Sequence, residues 1–65
     1  MEIEKLILEE DINIHEDGYY GFSMAYKYYK IKIEGIIVTE DEINEMISYF
    51  EKINEYEICE YLKNI

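Results

Sequence analysis

The chain's 65 residues give one domain's worth of sequence, and a chain so short buries only about 60% of the surface that its unfolded form exposes. Sixteen acidic residues stand against six lysines and no arginine, a formal charge of −10 at pH 7, beyond the magnitude of about 2–8 that suits a small soluble domain. That field disfavours nucleic acid and anionic membrane as direct partners, while thirteen isoleucines and eight tyrosines in a composition 49% hydrophobic exclude disorder.

Cys59 is the only cysteine, so no internal disulfide can form. One thiol and one imidazole, His15, fall short of the four ligands of a structural zinc site, so no metal or cofactor is expected. Small domains lacking both devices are often completed by a second chain, and a homodimer is expected on that ground. The start, Met1-Glu2-Ile3-Glu4-Lys5, has neither a basic stretch nor an apolar run, and no segment approaches the roughly 18 apolar residues of a membrane span. With the lone thiol, this places the expectation in the cytoplasm.

In chain order, residues 2–9 are ambiguous. Ile3, Leu6 and Ile7 have helical spacing, but shortness and isoleucine content favour a strand. Residues 11–16 alternate, with Ile12 and Ile14 on one face and Asn13 and His15 on the other, and Asp17-Gly18 then signals a type I′ hairpin turn. Tyr20, Phe22, Met24, Tyr26 and Tyr28 share one parity, whereas Tyr29, Ile31 and Ile33 share the opposite one. A strand cannot change phase without an extra residue, so a bulge or break is predicted over residues 27–29. Gly35 punctuates before Ile36-Ile37-Val38, read as a short strand.

The C-terminal half reads as helix. Thr39-Glu40-Asp41-Glu42 is a capping box whose acids suit the positive end of a helix dipole. Ile43, Met46, Ile47, Phe50 and Ile53 follow at helical spacing, Asn54 ends this helix and caps a second, and Ile58, Cys59, Leu62 and Ile65 line the second helix's buried face. The expected fold is α+β, a single domain over residues 1–65. It has an antiparallel sheet of three to four strands followed by two C-terminal helices packed on one face.

Chemistry is sparsely represented. His15 has no serine or second histidine nearby and reads as an exposed strand-end residue. Cys59, between Glu57 and Glu60, has surroundings that discourage a thiolate and reads as core. The carboxylate clusters fall at turns and a helix start, none with calcium-loop spacing, and the three glycines make no phosphate cradle, so the chain is expected not to be an enzyme. Residues 26–32 interleave tyrosine with lysine as a single-strand stacking platform does. Three lysines amid sixteen acids make a lysine-protected outer strand face the better reading.

Tyrosine supplies stiff, amphipathic contact area, and eight exceed what so small a core can hide. The candidate protein-binding residues are therefore Glu9, Glu10, Asp11, Tyr19, Tyr20, Glu40, Asp41, Glu42, Glu45 and Tyr49. With the lysines gathered over residues 27–32, the molecule is expected to be polarised, tyrosines straddling the boundary.

In size, charge and its Ile/Lys/Asn/Tyr/Glu-rich, arginine- and proline-poor composition, the chain resembles small acidic phage-encoded anti-defence inhibitors of the anti-CRISPR kind. The resemblance implies an inhibitor acting in the host cytoplasm, its carboxylates standing in for phosphates on a basic, nucleic-acid- or nucleotide-binding host protein. Two other readings stand beside it. One is a homo-oligomeric structural or regulatory module; the other is a sponge whose strand-borne tyrosines and lysines grip a small nucleotide between subunits.

Overall fold

The computed structural model describes residues 2–12 and 18–65. Four helices follow one another: α1 (Glu2–Glu9), α2 (Gly18–Lys32), α3 (Glu40–Lys52) and α4 (Tyr56–Lys63). No strand occurs among the described residues, so the expected α+β architecture is corrected to an all-helical one. The N-terminal half is where the expectation fails.

The reason is visible along α2. Its buried residues are Gly21, Met24, Ala25 and Tyr28, a stripe of period 3.6, and Ile31 continues it against the core. Met24, Tyr28 and Ile31 run straight through the parity switch that a strand could cross only with a bulge. In α1, Ile3 and Leu6 are buried with Ile7 packed beside them, the helical alternative of the ambiguous pattern. Asp11 then takes a left-handed φ of 52°. Across it the Ile12 amide donates to the Ile7 carbonyl (3.0 Å) and the Asp11 amide to the Leu8 carbonyl (3.3 Å), a Schellman ending that folds Ile12 into the core. His15 and Asp17 of the expected hairpin turn fall on residues 13–17, outside the described residues. Gly18 of that turn begins α2.

The other two helices match the sequence closely. The Thr39 hydroxyl accepts from the Glu42 amide at 3.3 Å and opens α3, whose buried face is Met46, Tyr49 and Phe50. Asn54, at φ 66°, ends α3 in a second Schellman motif, with the Glu55 amide on the Phe50 carbonyl at 2.8 Å and the Asn54 amide on that of Glu51 at 3.1 Å. Asn54 does not cap α4, however. Glu55 holds that position without a side-chain bond, and the Asn54 side-chain Oδ1 accepts instead from the Tyr56 hydroxyl at 2.9 Å. Ile58, Cys59 and Leu62 are buried as expected, but Ile65 is exposed.

Helix α2 packs on both α1 and α3, and α3 packs on α4. Tyr28, Phe50 and Met46 form the centre, with the Tyr28 and Phe50 rings edge-to-face at 5.9 Å. Lys27 beside Glu45 and Tyr20 beside Tyr49 show that α2 and α3 run antiparallel. Residues 35–39 cross between them as an irregular linker, so Ile36-Ile37-Val38 is not the predicted strand.

Candidate functional site

The fold distributes the ten candidate binding residues over separate places. Tyr20, Glu45 and Tyr49 do come together, lining with Ser48 and Lys52 a groove of about 310 Å³ between α2 and α3. The Tyr20 and Tyr49 rings meet edge-to-face at 5.4 Å. Tyr49 nevertheless belongs to the core and offers the groove only an edge, whereas Tyr20 is half exposed and Tyr19 is 89% exposed. Asp41 lies one turn before Glu45 on the same face of α3. Glu40 and Asp41 are exposed in that helix's first turn, and Glu42 is half-buried.

Glu9, Glu10 and Asp11 are elsewhere, at the end of α1, so the expected carboxylates do not make one face. Glu9 and Asp11 are exposed, and Glu9 borders a shallow hollow with Lys5, Leu6, Tyr29 and Ile33. Glu10 is structural. Its carboxylate accepts from the buried Tyr28 hydroxyl at 2.8 and 2.9 Å and from the Lys32 ammonium at 3.0 Å. The ammonium also donates to the Tyr28 oxygen at 3.0 Å and lies 5.6 Å from the centre of the Tyr61 ring. This cluster fastens the end of α1 to α2 and α4. Burial, then the Glu10 carboxylate, push the Tyr28 phenol up to about 12, with Lys32 opposing. Hydrogen bonds to Tyr28 and Glu10 raise Lys32 in turn.

The lysine segment is a helix, not a strand face. Lys27 pairs with Glu45 at 3.5 Å, Lys30 sits 4.8 Å over the Tyr26 ring, and Lys32 is held in the Glu10 cluster. These three therefore form no strand-borne stacking platform. The strand-borne grip on a nucleotide loses its geometry with them.

Sequence reasoning missed a second hollow. Ile31, Gly35, Ile36, Ile37, Val38, Ile43, Tyr61 and Ile65 line an almost wholly apolar pocket of about 180 Å³, where the 35–39 linker crosses the end of α4. The Ile-Ile-Val run was visible, but its β-branched composition suggested a strand rather than a pocket wall.

Cys59 is buried, its thiol donating to the Ile47 carbonyl at 3.5 Å; burial first, and then Glu51, push its pKa up, which makes it a poor nucleophile. Among the described residues no group of three histidine, cysteine or carboxylate side chains could hold a metal ion, and no helix is long and apolar enough to cross a membrane. The chain matches no protein-family model, no curated protein and no solved structure.

Proposed function

We propose that the protein is a binding module for a basic protein surface, and that it inhibits a host defence protein by occupying a nucleic-acid- or nucleotide-binding face. One observation carries this reading: Lys27, Lys30 and Lys32 on α2 are turned to the molecule's own carboxylates and rings, while acids on α1, α3 and α4 face solvent. The outward field is therefore negative and selects cationic partners. The half-exposed Tyr20 beside Glu45, one turn from Asp41, supplies the aromatic contact area that charge alone lacks.

The test is capture on the immobilised protein from a nuclease-treated bacterial lysate, eluted in rising salt. Basic nucleic-acid-binding proteins should be retained at low ionic strength and released by about 0.5 M NaCl, where the Debye length falls below about 5 Å. With a partner so isolated, the double variant Glu40→Gln/Asp41→Asn should slow association about three- to tenfold at low salt and change dissociation little. Retention of acidic proteins, or binding indifferent to salt, would sink the proposal.

A further inference from the structure

Ile31 and Ile43 at the pocket near the end of α4 pack against the core, but its outer wall has no task in holding the fold. Ile37 forms part of its wall yet is 89% exposed, and Ile65 beside it is 61% exposed. Neither side chain stabilises the core, and together with Ile36 and Tyr61 they leave an open apolar patch around a concave site. At about 180 Å³ the hollow is smaller than the ~300–1,000 Å³ of sites that enclose a drug-sized ligand or cofactor. Its size suits a single large apolar side chain, the kind of anchor that carries most of the affinity in a protein interface.

The charge around it says what brings that side chain. Glu34 and Glu40 bracket the linker on both sides of the isoleucines and are exposed. Glu57 is exposed one turn before Tyr61 on the same face of α4. A second copy of this chain would carry its own formal charge of −10, with the same carboxylates, into that rim. An anionic membrane surface would be repelled in the same way. Lys32, 5.6 Å from the centre of the Tyr61 ring, is already paired with Glu10, so a cationic segment would meet complementary charge from Glu34, Glu40 and Glu57 around a complementary apolar socket.

We propose that this pocket is a docking site for a basic peptide segment of a partner protein, one that inserts a leucine-, methionine- or phenylalanine-sized side chain between flanking lysines or arginines. The site rests on the reading of the protein as a module for basic partners and gives that reading a point of anchorage away from the α2–α3 groove. Ile36, Ile37, Tyr61 and Ile65 grip the anchor; Glu34, Glu40 and Glu57 hold the flanking cations.

Synthetic fluorescein-labelled peptides of about 12 residues test it. One is rich in lysine and arginine with a central leucine, a second replaces that leucine by serine, and a third keeps the leucine between glutamates. The leucine-containing basic peptide should bind at least about tenfold more tightly than its serine counterpart, the effect of burying one aliphatic side chain. The exposed substitution Ile37→Ser should abolish most of that difference while leaving the serine peptide's affinity unchanged, and Ile65→Ser, read independently, should do the same. Methyl resonances of Ile36, Ile37 and Ile65 should shift with the leucine peptide alone. Equal, salt-sensitive binding of both basic peptides, unaffected by either substitution, overturns the pocket and leaves the acidic-docking reading standing. No binding of either basic peptide at low salt defeats both. Tight binding of the acidic peptide, or a dimer in light scattering that Ile37→Ser dissociates, removes the basic segment as the occupant.

Discussion

Tyr28 shows how much one side chain can settle. Its ring is 1% exposed and touches Phe50 and Tyr61 edge-to-face, while its hydroxyl is shared between Glu10 and Lys32. Breaking that cluster leaves a buried oxygen or a carboxylate under-satisfied, so Tyr28→Phe should destabilise the fold by about 1–2 kcal/mol in urea unfolding at neutral pH. The phenol also gives a pH signature. In the unfolded chain it ionises at its ordinary value of 10.0, but in the folded protein only at about 12. The folded state thus holds a proton that the unfolded state has lost, and stability falls as pH rises through that interval. The raised Lys32 ammonium acts in the same direction, its contribution complete below the ordinary lysine value and lost above it. Wild-type unfolding free energy should decline by about 2 kcal/mol over this range, and Tyr28→Phe should lose most of that slope, because the Lys32 shift itself rests first on its bond to Tyr28 and only then on Glu10. An identical slope in the variant would mean that the phenol is not the titrating group.

At the scale of the elements, the chain is punctuated by left-handed residues: Asp11, Gly35 and Asn54 have φ of 52°, 68° and 66°. After α2, Gly35 lets the Ile36 amide reach back to the Lys30 carbonyl at 3.0 Å. A Cβ on Gly35 would meet nothing within 4 Å, so the cost of Gly35→Ala is purely that of the backbone, about 1 kcal/mol. Asn54→Gly should act oppositely and gain a few tenths of a kcal/mol, because glycine adopts this conformation freely and the bond it loses, from the Tyr56 hydroxyl to the Asn54 Oδ1, is exposed. Both should shift the urea midpoint at an unchanged m-value; equal midpoints would mean that these turns carry no strain. The same elements explain what the sequence could reveal. Helices α3 and α4 were legible because Thr39 marks a start and Ile43, Met46, Ile47 and Phe50 repeat at one clear period. Helix α2 was not, since its tyrosines outnumber its aliphatic residues and lie on all sides, so their β-propensity masked a stripe as short as Met24, Tyr28 and Ile31. The groove residues Tyr20, Glu45 and Tyr49 were legible as residue types. That Glu10 serves Tyr28, eighteen positions away, could only come from the packing.

For the whole molecule, the decisive fact is that a formal charge of −10 is confined within 26 × 24 × 19 Å. At about 10 mM salt the Debye length of roughly 30 Å exceeds every dimension, so each carboxylate feels all the others; at 0.15 M it is about 8 Å, and only neighbours interact. Attractive pairs such as Lys32 with Glu10 at 3.0 Å and Lys27 with Glu45 at 3.5 Å are too short to be screened comparably. Added salt therefore removes mostly repulsion, and repulsion acts more strongly on the compact state than on the expanded unfolded chain. The melting temperature should rise by about 5–10 °C between 10 mM and 0.3 M NaCl, corresponding to about 1–2 kcal/mol in a domain of this size. Choline chloride should do the same, since screening depends on ionic strength and not on the ion's identity. A flat or falling trend would show that local ion pairs dominate the electrostatics. The rising trend would link stability to binding, because a cationic partner neutralises the same carboxylates as salt does and should stabilise the fold most at low ionic strength, where docking is also strongest.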